Sequence, residues 1–210
     1  DPIPAGWVKT SESACNGCCP YNNPRIVIKN LGILPAGSVE TVCSGERLPA
    51  GWAKIGEQSC TGCCGYSIPK MVVKKIDGMP VGTVERICNG ATIPNGWVKQ
   101  GQETCNGCCG YSLPKFIIKR IDGLPAGSVE PICNGQSVPS GWIKISEAPC
   151  GGCCGWDLPR ATIKKYTGLP AGTILNICGG QNIPSGWTKV SEQSCSCCGI
   201  YKKTVKIKKT

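Results

Sequence analysis

Cysteine is the residue type whose abundance and spacing suggest chemistry in this sequence. Nineteen of the 210 residues are cysteines. They recur as a CxxCC triplet, as at Cys60, Cys63 and Cys64, followed by a single cysteine such as Cys88. Such a group can close two disulfides, or it can offer four thiolates to a zinc ion or an iron–sulfur cluster.

Disulfides fit this spacing better than a metal does. Zinc sites usually contain two CxxC pairs, whereas here a lone cysteine replaces the second pair. A thioredoxin-like redox motif requires a βαβ pattern, and the sequence shows no helical period. We therefore expect disulfides, with no metal and no cofactor.

Catalysis is the least favoured class of function. The chain contains no histidine, which removes the most common general base. Most polar positions recur with the repeat described below, whereas catalytic groups normally occur once in a single pocket. Neither a nucleophile motif nor a paired-carboxylate site stands out, so we predict that the chain is not an enzyme.

The cysteines belong to a tandem repeat of 45 residues. The same spacing separates five tryptophans: Trp7, Trp52, Trp97, Trp142 and Trp187. The register is kept until residue 196, where one residue is lost. The sequence therefore predicts four modules, 1–45, 46–90, 91–135 and 136–180, followed by a truncated fifth module, 181–210.

Each module contains three predicted strands, which we call A, B and C. In the second module they cover residues 51–56 (GWAKIG), 70–76 (KMVVKKI) and 83–88 (TVERIC). B and C are rich in β-branched residues, and a proline closely precedes each strand. Asp-Gly and Pro-x-Gly turns separate B from C. The sequence predicts an elongated, all-β tandem array of small, disulfide-stapled, three-stranded modules.

The disulfide pairing is predicted from an antiparallel A–B–C meander within one module. This meander brings Cys88 to the start of strand B, so Cys88 should pair with Cys64 or Cys63, and Cys60 with the one that remains. A bond between the adjacent Cys63 and Cys64 would distort the peptide. Disulfides are expected at Cys15, Cys18, Cys19, Cys43, Cys60, Cys63, Cys64, Cys88, Cys105, Cys108, Cys109, Cys133, Cys150, Cys153, Cys154 and Cys178.

The fifth module is predicted to be incomplete, because it lacks strand C. Its Cys195, Cys197 and Cys198 are the candidates for a free thiol or an intermolecular disulfide, since an odd number of cysteines leaves at least one unpaired. Its strand B, which carries Lys203, Val205 and Ile207, should have an open edge that another chain could use for strand pairing.

The tryptophan ladder has two interpretations. The rings could stack on sugars, or each ring could fill the small core of its module. The second interpretation is favoured, because the chain has few other large apolar side chains. A second set of aromatic residues recurs with the same spacing: Tyr21, Tyr66, Tyr111 and Trp156.

The net charge of +10 indicates either a solvated lysine-rich surface or a surface that meets polyanions such as acidic polysaccharide. Specific nucleic-acid recognition is not expected, because base readout favours arginine and the cations here are mostly lysine. No apolar run is long enough to cross a membrane. Abundant cysteine and a start without methionine indicate a secreted or cell-surface protein with a removed signal peptide.

Three functions follow from these features. A structural subunit of an extracellular filament, matrix or surface layer fits best, with head-to-tail self-association of chains. A repeat adhesin or lectin-like module that binds polyanionic glycans is the alternative. A multi-headed inhibitor-like array is the second alternative, although inhibitor loops usually differ between copies.

The pattern IPxGWxK…C…G-aromatic…IKK…G…IC resembles short cysteine-containing tandem repeats of uncharacterised secreted or surface proteins of bacteria. The resemblance covers the whole chain, and it rests mainly on turn residues. The CxxCC triplet departs from the simpler pattern of those repeats. The resemblance implies a secreted location and no particular activity.

Overall fold

The structure, a computed structural model, describes residues 2–14, 24–60, 63–65, 69–110, 113–155 and 158–210. The predicted all-β class is confirmed. Apart from a short 3₁₀ turn at Gly199–Tyr201, the regular elements of these residues are strands. The strands are β1 (Trp7–Ser13), β2 (Arg25–Asn30), β3 (Val39–Cys43), β4 (Trp52–Gln58), β5 (Lys70–Lys75), β6 (Val84–Cys88), β7 (Trp97–Glu103), β8 (Lys115–Arg120), β9 (Val129–Cys133), β10 (Trp142–Ala148), β11 (Arg160–Lys165), β12 (Ile174–Cys178), β13 (Trp187–Ser194) and β14 (Lys203–Lys209).

The strands form five sheets. The first sheet contains β1 and β2, and the other four have the strand orders β3-β5-β4, β6-β8-β7, β10-β11-β9 and β12-β14-β13. In every three-stranded sheet, strand B of one module is the central strand, with strand A of the same module on one side. The other neighbour is strand C of the preceding module. Successive modules therefore share sheets.

This arrangement corrects the predicted meander within a module. Strand β6 was expected beside β5, but β5 pairs with β3 and β4, while β6 joins the next sheet. The reason lies in the connection between B and C. A tight hairpin has a loop of two to about five residues, whereas the chain between Lys75 and Val84 contains two turns and carries strand C to the following sheet.

The Pro-x-Gly-Trp turn fixes the start of each strand A. Gly51 adopts φ +82°, a conformation that glycine reaches without steric cost. The Gly51 carbonyl then accepts hydrogen bonds from the amides of Ile76 and Asp77, at 2.8 and 3.1 Å. This turn ties the start of β4 to the end of β5.

A β-bulge interrupts strand A. The register of β4 against β5 shifts between Lys54 and Gly56, and β1, β10 and β13 have the same irregularity at the equivalent residues of their modules. A bulge twists a strand and disturbs its outer edge. The free edge of strand A is therefore a poor template for further strand pairing.

The chain forms two compact units, Asp1–Asn95 with Glu103–Ile118, and Gly96–Gln102 with Lys119–Thr210. In the first unit, Val8 of the first sheet and Leu31, which follows β2, pack on Val42, Trp52 and Val73 of the second sheet. The second unit contains two cores of the same kind, one around Trp142 and Ile163 and one around Trp187 and Ile207. Each core is small and lies between successive sheets.

The predicted open edge at Lys203, Val205 and Ile207 is wrong. Strand β14 is the central strand of its sheet, with β12 and β13 on its two sides. Strand β12 of the fourth module takes the place beside β14 that was expected to be open. The module boundaries 1–45 to 181–210 stay a prediction from the sequence repeat.

Candidate functional site: the four-cysteine junctions

Each three-stranded sheet contains a group of four cysteines, which we call a junction. A junction combines the CxxCC triplet of one module with the single cysteine that ends strand C of the preceding module. The four junctions are Cys43 with Cys60, Cys63 and Cys64; Cys88 with Cys105, Cys108 and Cys109; Cys133 with Cys150, Cys153 and Cys154; and Cys178 with Cys195, Cys197 and Cys198.

One disulfide of each junction joins two modules. Cys88 bonds to Cys109, with Cα atoms 5.5 Å apart, and both side chains are buried. The corresponding bonds are Cys43–Cys64, Cys133–Cys154 and Cys178–Cys198. The predicted pairing of Cys88 with Cys64 or Cys63 is therefore wrong, because strand C lies in the following sheet and its cysteine meets the following triplet.

The second disulfide of each junction closes a small loop inside the triplet. The pairs are Cys60–Cys63, Cys105–Cys108, Cys150–Cys153 and Cys195–Cys197. These cysteines are half-buried or exposed. The prediction that the first cysteine of a triplet bonds within its own triplet agrees with these pairs.

Cys195, Cys197 and Cys198 were the candidates for a free thiol or an intermolecular disulfide, and this prediction is wrong. Cys198 bonds to Cys178, and Cys195 bonds to Cys197. Every described cysteine is thus in a disulfide, and the remaining three, Cys15, Cys18 and Cys19, lie outside the described residues. Because 19 is odd, at least one of these three has no disulfide partner within the chain.

The sulfur atoms of a triplet are close enough to share a metal ion. In three junctions they lie within 4.8 Å of one another, as for Cys105, Cys108 and Cys109. Metal binding requires thiolates, however, and here the sulfurs are joined as disulfides. In this oxidised form the chemistry of a junction is cross-linking.

Polar contacts brace each triplet against the preceding module. The Glu57 amide donates to the Cys108 carbonyl at 2.8 Å, and the Lys54 ammonium donates to the Cys109 carbonyl at 3.2 Å. Lys54 also pairs with the Glu57 carboxylate. Gly110 follows the triplet with φ +78°, and a Cβ there would lie 2.7 Å from Glu57 Oε2. The CCG sequence therefore allows strand A of one module to approach the next triplet closely.

Four of the five tryptophans of the ladder are buried in the cores. Trp52, Trp97, Trp142 and Trp187 are 6 to 7% exposed, whereas Trp7 is 38% exposed. A buried ring has no free face on which a sugar can stack, so this burial favours the core interpretation at these four positions. The second aromatic set, Tyr21, Tyr66, Tyr111 and Trp156, lies outside the described residues.

Many lysines of the repeat form ion pairs between strands. Lys29, Lys74 and Lys119 each lie 2.6 Å from a glutamate of the following strand C, namely Glu40, Glu85 and Glu130. On β13, hydrogen bonds from Lys189 and then from Lys203 lower the pKa of Glu192 to about 2. Burial lowers the pKa of Lys99 below its ordinary value. Part of the positive charge of the chain therefore lies in ion pairs between its own strands.

The fold and the junctions define a tandem-repeat, disulfide-rich, all-β protein whose repeats are joined by disulfides. A comparison with known proteins finds no family model, no curated protein and no solved structure that matches the chain. Within the described residues, no helix is long and apolar enough to cross a membrane.

Proposed function

We propose that this protein is a structural subunit of an extracellular filament, matrix or surface assembly. The observation that supports this proposal most is the junction, where a strand and its terminal cysteine leave one module and complete the sheet of the next. Repeats built in this way resist separation, and resistance to separation is useful in a structural material.

The link between two successive modules consists of a strand ladder and a disulfide. In the last sheet, five residue pairs join β12 to β14, from Ile174 opposite Lys208 to Cys178 opposite Thr204. The Cys178–Cys198 disulfide locks the end of this ladder. To pull the fourth module away from the fifth, both the hydrogen-bonded ladder and a covalent bond must break.

The disulfides also support an extracellular location. Disulfides persist in oxidising compartments and are rare where cellular thiols keep cysteines reduced. Eight disulfides within the described residues are consistent with an oxidising environment. Secretion of the chain is part of the proposal.

Electron microscopy of the native protein tests this function. The purified protein, kept oxidised, should form filaments, sheets or other ordered assemblies as its concentration rises. Light scattering coupled to size-exclusion chromatography would measure the same property in solution. Monodisperse monomers at every concentration would contradict the proposal.

Polyanion binding is the second candidate, and the last sheet favours it. Lys206 and Lys208 are exposed on the face of β14 opposite Val205 and Ile207, and no ion pair or hydrogen bond of their side chains is found among the described residues. Two adjacent free ammonium groups on a rigid sheet suit a sulfated or uronic polysaccharide.

Retention on a heparin column tests this candidate. Replacing Lys206 and Lys208 by glutamine should lower the salt concentration needed for elution. The matched control replaces Lys189 and Lys203, which carry the same charge in the same sheet but pair with Glu192. Equal effects of the two double variants would show that only net charge matters, and would exclude a specific surface.

A further inference from the structure

A cavity of about 720 Å³ lies between the Pro-x-Gly-Trp turns of the second and third modules. Its walls include Leu48, Trp52, Met71 and Ile93, and the exposed Arg47 also lines it. Its volume falls within the usual range of small-molecule sites, about 300–1,000 Å³. The cysteine junctions do not use this cavity, so its contacts can serve another purpose.

The residue at position 91 distinguishes this cavity from the equivalent places in other modules. Ala91 lines the cavity, whereas one and two repeats later the chain has Gln136 and Gln181. One repeat earlier it has Glu46, and the cavity between the turns there has a volume of only about 320 Å³. Alanine therefore leaves space that a longer side chain takes at the equivalent positions.

The glutamine at this position makes three hydrogen bonds with the main chain. Gln181 Oε1 accepts from the Lys144 amide at 2.8 Å, and Nε2 donates to the carbonyl oxygens of Lys144 and Cys178 at 2.7 and 2.9 Å. Gln136 makes the same three contacts one repeat earlier. The oxygen and both N–H groups of the primary carboxamide are thus engaged.

The main-chain atoms for the same three bonds are present beside Ala91. Lys54 lies opposite Val73 in the register in which Lys144 lies opposite Ile163, so its amide and carbonyl also face away from the central strand. Among the described residues, no side chain bonds to this amide or carbonyl. The Cys88 carbonyl accepts from the Ala91 amide at 3.0 Å and has a second lone pair.

A buried donor in the wall of the cavity also lacks a partner. The indole N–H of Trp52 is buried, and no hydrogen-bond partner for it is found in the described part of the chain. Buried donors are nearly always paired in folded proteins. The protein alone therefore does not satisfy all the polar groups around this cavity.

We propose that this cavity binds a small molecule that carries a primary carboxamide on an apolar body. The carboxamide oxygen accepts from the Lys54 amide, and its two N–H groups donate to the carbonyl oxygens of Lys54 and Cys88. The apolar body lies against the side chains of Leu48 and Met71. The ligand thus takes the place that glutamine takes in later modules, and the inference is independent of the structural role proposed above.

The arrangement of donors and acceptors selects this functional group. A carboxylate only accepts hydrogen bonds, so it would leave both carbonyl oxygens without a donor. A trans secondary amide has its N–H and its C=O on opposite sides, so it cannot bond to the amide and the carbonyl of Lys54 together. A primary carboxamide has one N–H on the same side as its oxygen and a second N–H for Cys88.

Benzamide is the probe for a test on the intact, oxidised protein, because it joins a primary carboxamide to a rigid apolar ring. In two-dimensional NMR of isotope-labelled protein, the amide proton of Lys54 should shift saturably as benzamide is added. The amides of Lys99 and Lys144 are internal controls and should not shift, because glutamines already bind them. Acetophenone, in which methyl replaces the amide nitrogen, should bind about ten-fold or more weakly, since two hydrogen bonds are lost.

Two reciprocal variants complete the test. Ala91→Gln should abolish benzamide binding, because the new side chain fills the site and bonds to Lys54. Gln181→Ala should create an additional site, seen as a saturable shift of the Lys144 amide. Both positions are half-buried in turns between strands, and unchanged NMR shifts elsewhere in the sheets would show that each variant is folded.

Four results would overturn the proposal: no saturable shift at Lys54, equal binding of benzamide and acetophenone, undiminished binding by Ala91→Gln, or no new site in Gln181→Ala. The tripeptide Gly-Gln-Gly separates a small-molecule site from a site for a glutamine of another protein. Weaker binding of the tripeptide than of benzamide is expected, and tighter binding would overturn the assignment to a small molecule. Because assembly is measured by microscopy, failure of either proposal leaves the other standing.

Discussion

Gly51 shows how strictly single residues are specified in this repeat. Its φ of +82° favours glycine, and a Cβ at this position would lie 2.5 Å from the Cβ of Asp77. Gly82 has the same φ, but nothing lies within 4 Å of its Cβ position. Alanine at Gly82 would therefore meet only the strain of the left-handed backbone, whereas alanine at Gly51 would meet the same strain and a steric overlap as well.

Gly82→Ala should lower the free energy of unfolding by about 1–2 kcal/mol, the usual cost of a left-handed alanine. Gly51→Ala should cost a further 1–3 kcal/mol or so, because the methyl group displaces Asp77 and the turn that it closes. Guanidinium denaturation of the two variants measures the difference. Equal losses would show that the Asp77 contact has no energetic importance.

The Glu192 carboxylate gives a prediction about pH. Hydrogen bonds from Lys189 and Lys203 lower its pKa from 4.5 to about 2 in the folded chain. A lowered pKa stabilises the fold above the unfolded pKa, and this contribution is lost as pH falls from 4.5 towards 2. Carboxyl-carbon NMR should give a midpoint near 2 for Glu192. A midpoint near 4.5, or one unchanged by Lys189→Gln, would contradict the two hydrogen bonds.

At the scale of single elements, the strands could be predicted from the sequence, and their partners could not. The predicted segments 51–56, 70–76 and 83–88 match β4, β5 and β6 to within two residues at each end. An abundance of β-branched residues and flanking prolines are local signals. The choice between a B–C hairpin and transfer to the next sheet depends on packing against other modules, which no local pattern records.

The bulge of strand A has a side-chain clamp in some modules. Gln181 accepts a hydrogen bond from the Lys144 amide at 2.8 Å and donates to the Lys144 carbonyl at 2.7 Å. Gln136 makes the same pair of contacts with Lys99. At the equivalent place facing Lys54 the chain has Ala91, which cannot make either bond.

Ala91→Gln should therefore stabilise the protein, by about 1 kcal/mol for the added hydrogen bonds. Gln181→Ala, the reverse change, should destabilise it by a similar amount. Thermal or denaturant unfolding of the two variants measures both effects. If Ala91→Gln were neutral or destabilising, the clamp would not be transferable between modules.

The two disulfides of a junction should contribute unequally to stability. Cys88–Cys109 closes a loop with a sequence separation of 21, and Cys105–Cys108 one of 3. In the chain-entropy account the longer loop contributes about 3 kcal/mol and the shorter about 2 kcal/mol. Replacing each pair by serines and measuring unfolding should show the larger loss for Cys88 and Cys109. A larger loss for the short loop would contradict this account.

For the whole molecule, the repeat and its disulfide chemistry could be predicted from the sequence, whereas the sheet that each strand C joins could not. The absence of strand C after Lys203 suggested an open edge in the fifth module. Because each three-stranded sheet takes strand C from the preceding module, β14 has a neighbouring strand on both sides. The predicted head-to-tail association loses that basis.

The sharing of sheets between modules is the central claim, and disulfide mapping tests it most directly. Trypsin cleaves after Arg86, Lys99 and Lys115, so Cys88 lies in fragment 87–99 and the triplet of Cys109 in fragment 100–115. Mass spectrometry of a digest without reduction should find 87–99 joined to 100–115. Fragment 87–99 joined instead to 55–70, which carries Cys60, Cys63 and Cys64, would contradict the claim.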